Sequence, residues 1–441
     1  VIAPRPRGAP SPGLPLRYLA AAAGAFLLGA PGVAWLAGDL AGHYYHPRVV
    51  ALTHTLTLGW ITLAILGASF QLIPVVLERP IWSERLGRWQ FWWLLAGMTG
   101  MIGHFYIGSW PGLLWAAVIT TGGLGAQVLN VALSLRGFRR WTFTARLIAL
   151  AYGGILLTAA FGITLGADRI WRFLPTEFFP TLHAHFHLGL LLWVAPTVMG
   201  VAARVYPMFL LAPEPGGWPG ALQLWGLALG GPAVILGLLG LRRLLLPGAL
   251  AVAAAAAAHG LWVLSCVRRR KRPALDWGLR LVLTGAAFLA PAILLGVGFA
   301  AGLLSGPRLG LAYAVVTLGG WVSLTIAGMM LKIVPFLVWY RVYGRRAGRV
   351  PVPTLAQLSW PAAERGAYAL LVGGIIVLGA AAAAGDAAWI RAAGMAVAAG
   401  AGAFGAALAR VLAHLTANGG PAEGAVPLGP AGGPGAQELG P

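Results

Sequence analysis

Apolar stretches about as long as a bilayer is thick recur along this 441-residue chain, and they leave few folds open. A helix needs about 20 consecutive apolar residues to cross the hydrocarbon core. Twelve such stretches are readable, at roughly 18–38, 48–77, 89–108, 112–135, 146–166, 179–212, 218–241, 247–267, 279–304, 309–340, 366–385 and 388–415. The first has no small-residue cleavage site and eleven more follow it, so it reads as a span and not as a signal peptide. With 59% hydrophobic residues, 10% charged and mean hydropathy +0.79, a soluble domain is excluded. Abundant glycine suits close helix packing in lipid, where small residues let backbones approach. The prediction is an all-α polytopic membrane protein.

The formal net charge of +20 raises the question of nucleic acid, and its distribution answers against it. If the N-terminus is inside, the inner segments hold Arg79, Arg85, Arg88, Arg136, Arg139, Arg140 and Arg146. They also hold RRRKR at 268–272 and Arg341, Arg345, Arg346, Arg349 and Arg365. The opposite loops hold only Arg48, Arg169, Arg172, Arg242, Arg243, Arg308 and Arg391. That is the positive-inside bias of a multi-pass cell-membrane protein with both termini cytoplasmic. No nucleic acid is expected as a partner; the lipid bilayer is, with anionic headgroups favoured on the basic side. A single cysteine, Cys266, excludes an intrachain disulfide, a four-cysteine iron–sulfur site and CxxCH haem attachment. The Pro/Gly-rich segments 1–16 and 417–441 read as disordered, flanking a transmembrane domain over 17–416.

Within that domain a pattern returns three times. HTLTLGWITLAILGASFQLIPVV (54–76), HLGLLLWVAPTVMGVAARVYPMF (187–209) and VVTLGGWVSLTIAGMMLKIVPFL (315–337) align without gaps. Trp60, Trp193 and Trp321 share a column, and Gly67, Gly200 and Gly328 share another. Gln71, Arg204 and Lys332 form a polar column, followed by Pro74, Pro207 and Pro335. The copies are offset by 133 and 128 residues, four spans each. Three pseudo-threefold four-helix repeats are therefore expected, at approximately 17–140, 141–270 and 271–416, with functional sites where repeats meet. Arg204 and Lys332 are expected to snorkel to the cytoplasmic surface or to meet a quinone or anionic headgroup there. The first column holds His54, His187 and Val315.

Seven of nine histidines map to the outer side: His43, His46, His54, His104, His183, His185 and His187. Intramembrane ionisable residues are functional candidates by default. Three of these lie in TLHAHFHLGLLLW (181–193). Helix positions two apart point about 200° from each other and positions four apart share a face, so His183 and His187 face one way and His185 the other. One helix can then serve a site on each flank. Neutral imidazole suits haem iron or copper. His43, His46, His104 and His259 read more simply as interfacial or core residues.

AHFHLG at 184–189 resembles the His-Phe-His segment of the haem–copper oxidase catalytic subunit, and RVVALTHT at 48–55 resembles the segment bearing a low-spin haem histidine in its second helix. The signature H-x4-G…G-x6-P also resembles the NnrS proteins, haem- and copper-containing relatives. The resemblance implies a twelve-helix pseudo-threefold fold holding haem b, as one group or two, with copper a further metal. It implies His187 with His54 on one haem and His185 on a second haem or metal. His183 would ligate copper or orient a neighbour, so the metal candidates are His54, His183, His185 and His187. Arg48, Arg169 or Arg172 would pair with haem propionates.

The pattern also departs from the oxidases. Their histidine pair is on helix ten; here it is on helix six, and helix ten offers Tyr313 and Val315. Span seven contains no histidine, so the oxidase copper pair is missing, and the acidic residues read as lying in loops, linkers and tails. A proton-pumping oxygen reductase is not expected. The reading is a haem b oxidoreductase or electron-transfer protein, or one handling nitric oxide or oxygen, with redox subunits or quinone as partners. A metal or small-molecule transporter with an outer histidine site, or a membrane anchor for a larger redox complex, are the alternatives.

Overall fold

A computed structural model of the chain describes residues 11–174, 178–212, 218–271 and 274–416, and every regular element among them is helical. Eleven helices are long and apolar enough to cross a membrane. They are α1 (Gly13–Trp35), α2 (Pro47–Val75), α4 (Trp110–Ser134), α5 (Phe143–Trp171), α6 (Phe178–Leu210), α7 (Trp218–Leu238), α8 (Arg242–Arg268), α9 (Trp277–Ala300), α10 (Pro307–Tyr343), α11 (Pro361–Ala384) and α12 (Ala387–Ala413). The stretch read at 89–108 forms α3 (Glu84–Ile107), 24 residues long. Arg88, Trp89, Gln90, Trp92 and Trp93 in its first half make it less apolar than the rest. α1 begins at Gly13, inside the segment read as disordered; residues 1–10, the tail 417–441, Glu177, Glu214 and Arg272 lie outside the described residues.

Packing between helices repeats around the molecule. α1 packs on α2, α5 on α6 and α9 on α10; α3 packs on α4, α7 on α8 and α11 on α12. α4 then packs on α5, α8 on α9, and α12 closes on α1. The glycine column has a physical reason in this pattern. A Cβ at Gly67 would come 2.8 Å from the Tyr18 Cβ, and one at Gly200 3.0 Å from the Leu147 Cβ. At Gly328 it would collide with the Gly278 carbonyl oxygen. At each position the missing side chain lets the marked helix lie against the helix before it.

The tryptophan column faces inward, all three rings being buried. The Trp60 indole N–H donates to Ser323 Oγ (3.1 Å) and that of Trp193 to Thr62 Oγ1 (3.4 Å). α2 thus reaches α10, and α6 reaches α2. The third acceptor position of the same cycle is Ala195, which has no hydroxyl. Each marked helix also widens into π-helix at the same height, over Thr55–Thr62, Leu188–Val194 and Val315–Ser323. Such widened turns recur at functional sites because they re-aim the side chains beside them. Here they begin next to His54 and His187.

The polar column behaves differently from its sequence reading. Arg204 is exposed, but Lys332 does not snorkel: its ammonium lies 2.5 Å from Asp276 Oδ2 and over the Phe209 ring. Glu364, read as a linker residue, is buried in the first turn of α11, because Pro361 starts that helix before the apolar run. Asp276 also caps α9, accepting from the Leu279 N–H at 3.0 Å. Asp276→Ala should therefore destabilise more than Lys332→Met, since it removes an N-cap worth ~1 kcal/mol and leaves the lysine partly buried without its partner. Thermal melts in detergent give the order; equal melting temperatures would show that the cap contributes nothing.

Candidate functional site

Between the marked helices lies a cavity of about 830 Å³. Its walls are mostly apolar, and the ionisable and aromatic polar side chains His43, Tyr44, Tyr45, His54, Arg169, His183, His185 and His187 are among those that line it. Of the seven histidines read as outer, five line it. His104 instead packs against Gly112, and His46 stands 3.8 Å from Asp39 Oδ2. Of the two remaining, His259 pairs with Gln223 between α7 and α8 (3.0 Å), and His414 with Tyr343 (2.7 Å).

The two-flank geometry of 183, 185 and 187 is realised, but with a different partner for His54. The rings of His54 and His185 lie 6.5 Å apart, centroid to centroid, with an interplanar angle of 23°. The resemblance implies His187 opposite His54; His185 stands there instead. The cause is helical phase. His185 projects toward α2 and α5, where Gly162 leaves room for its ring: a Cβ there would come 3.1 Å from His185 Cε1. His187, about 200° round, lies against Tyr313 of α10, ring centroids 5.9 Å apart. His183 shares that face and its Nε2 lies 2.9 Å from the Tyr44 hydroxyl.

Backbone bonds fix two of these rings. His54 Nδ1 is 2.9 Å from the Val50 carbonyl oxygen, and His187 Nδ1 is 2.8 Å from that of His183. Each ring is held in one orientation with Nε2 left over, which is how a protein prepares an imidazole for a metal. Phe105 stacks on His54, ring centroids 4.7 Å apart. Phe105 is a site residue that sequence reasoning missed, because the contact joins α3 to α2 and no residue pattern announces it. His185 Nδ1 makes no hydrogen bond of good geometry.

No known protein-family model matches this chain, and no curated protein does. The site must therefore speak through its own chemistry. Among the described residues no three His, Cys, Asp or Glu side chains converge to hold a metal ion. The histidines meet in one pair, across a cavity wide enough for a large apolar ligand.

At the mouth, Arg169 is the basic residue that lines the cavity. Its guanidinium sits over Phe178 (4.5 Å), Trp110 (5.0 Å) and Tyr45 (5.2 Å) and donates to the Tyr45 hydroxyl (3.1 Å). No carboxylate pairs with it among the described residues. Burial pushes the Tyr44 and Tyr45 phenols above their ordinary range, so both stay neutral hydrogen-bonding groups. The other two arginines are placed elsewhere. Arg48 is 3.7 Å from Asp39 and over Tyr106, and Arg172 is exposed at the end of α5 with φ 47°.

Proposed function

We propose that the chain is a membrane haem b protein of electron transfer, with the haem held between His54 and His185. The observation that carries this reading is the 6.5 Å separation of the two rings. Two metal–imidazole bonds of about 2.0–2.1 Å, with the half-width of each ring added, separate the ring centres by roughly 6 Å. The pair is thus spaced for one iron. The surrounding volume, about 830 Å³ and largely apolar, falls within the roughly 300–1,000 Å³ of sites for large organic ligands. When bound, haem would supply a one-electron couple, with the two histidines and the apolar walls tuning its potential. Held by two imidazoles of the chain, His54 and His185, such a group would serve electron transfer rather than gas capture.

The residues have separate tasks in this reading. His54 ligates through Nε2, its ring steadied by the Val50 carbonyl and by Phe105. His185 ligates from α6. Arg169, caged by aromatic rings and without a carboxylate partner, binds a propionate at the mouth. Charge-assisted hydrogen bonds contribute about 1.5–3 kcal/mol, so Arg169→Gln should weaken haem retention by roughly tenfold to a hundredfold. Transfer of haem to apomyoglobin measures it, and an unchanged rate would remove Arg169 from the site.

The recurrent packing, the shared glycine and tryptophan columns and the three π-helical segments support a twelve-span fold of three four-helix units, with α3 the remaining span. Positive charge on the opposite loops supports both termini inside and the cavity mouth at the outer face of the cell membrane. A donor and an acceptor outside the chain, a redox subunit or a quinone, belong to the same reading. The absorption spectrum of the purified protein tests it first. A Soret band with sharp reduced α and β bands is expected; a colourless protein after expression with haem supplied ends the proposal.

A further inference from the structure

A second, smaller cavity of about 150 Å³ lies beside the first, and the haem reading makes no use of it. Its walls come from α6, α7, α8, α9 and α10 and are mostly apolar, aliphatic at Leu190, Ala253, Ala292 and Val297 and aromatic at Phe299 and Trp321. Five of its side chains, His187, Leu190, Leu238, Phe299 and Tyr313, also line the larger cavity, and of these His187 and Tyr313 bring polar groups to the shared boundary. His187 keeps Nδ1 on the His183 carbonyl, leaving Nε2 available. Thr317 spends its hydroxyl on the Tyr313 carbonyl at 2.8 Å, and Trp321 adds its indole to the wall.

Size and polarity together select an occupant. Organic ligands of drug size occupy about 300–1,000 Å³, so a tetrapyrrole does not fit. A water molecule needs two to four polar partners, and an engineered cavity of about 150 Å³ lined by Leu, Ile and Phe stays dry and takes up benzene or xenon. This half-open chamber is of the same size and mostly apolar, with the His187 and Tyr313 rings together on the side it shares with the larger cavity. The surrounding bilayer core is an apolar solvent in which neutral gases dissolve readily. We propose that the chamber binds a small, uncharged, apolar molecule of the size of a diatomic gas, held against His187 and Tyr313.

The binding itself is independent of the haem; its value to a redox protein, a gas held one side chain away from the haem cavity, rests on the reading above. Xenon is the probe, applied under pressure to the purified protein in lipid nanodiscs, with its position read by cryo-electron microscopy and its binding by 129Xe NMR. A saturable xenon site between His187 and Ala253 is expected. Ala253→Leu, filling the chamber from α8, and independently Ala292→Leu, from α9, should each abolish it and leave the absorption spectrum as it was. Ordered water or lipid in the chamber, or a xenon signal that survives the filling variants, overturns the proposal. A coloured protein without xenon in the chamber refutes this inference alone. A colourless protein that binds xenon there refutes the haem reading alone.

Discussion

His185→Ala is expected to abolish the low-spin haem spectrum, His54→Ala to do the same, and His187→Ala to leave it intact. The first two remove the rings that face each other at 6.5 Å. The third removes a ring that lies against Tyr313 on the opposite flank of α6. If His54 and His185 hold a haem between them, loss of either ring would weaken or release it, and either outcome would be plain in a reduced spectrum. The resemblance to haem–copper oxidases implies a different order, with His187 essential and His185 serving a separate centre. A spectrum lost in His187→Ala and kept in His185→Ala would reverse the assignment drawn from the geometry. Thermal melts of the three proteins guard against a simple failure to fold.

The second large effect concerns a glycine that no sequence pattern marked. At Gly154 in α5 a Cβ would collide with the carbonyl oxygen of Leu192, in the π-helical segment of α6. Backbone atoms cannot move aside as the end of a side chain can. Overpacking a well-filled core costs about 1–3 kcal/mol, occasionally more, and contact with a main-chain atom lies at the upper end. Gly154→Leu should therefore yield little folded protein. What does fold should have lost haem along with stability, because α6 must shift while carrying His185. Gly153→Leu, next in sequence but with open space around its Cβ, is the control and should express normally. Equal yields from the two variants would show that the α5–α6 contact is not needed.

The helices were legible because hydropathy reports directly on lipid, and their borders were recovered to within a few residues. The spacing of the glycine and tryptophan columns was legible too, and the packing explains both: glycine where the marked helix meets the helix before it, tryptophan where the marked helices meet each other. Two things were not. Helical phase shows that His185 opposes His187, but not which neighbour each one meets, since that depends on how far α6 is rotated against α2 and α10. The widened turns that follow His54 and His187 alter that rotation, and no residue pattern announced them. Glu364 and Lys332 were misplaced for a related reason. A charge near a span's end reads as solvated until the facing helix is known to bring Asp276 within 2.5 Å.

Closure of α12 on α1 has a consequence for how the protein is made. Phe26 of α1 packs against Phe404 of α12, ring centroids 6.1 Å apart, and Gly394 of α12 meets the backbone at Ala34. α1, made well before α12, therefore waits for it before this face is covered. Until then that face, with its phenylalanine and small residues, must be tolerated by lipid or shielded by an insertion chaperone. A ribosome stalled before residue 387 leaves an open arc in which α1 is covered by α2 but not by α12.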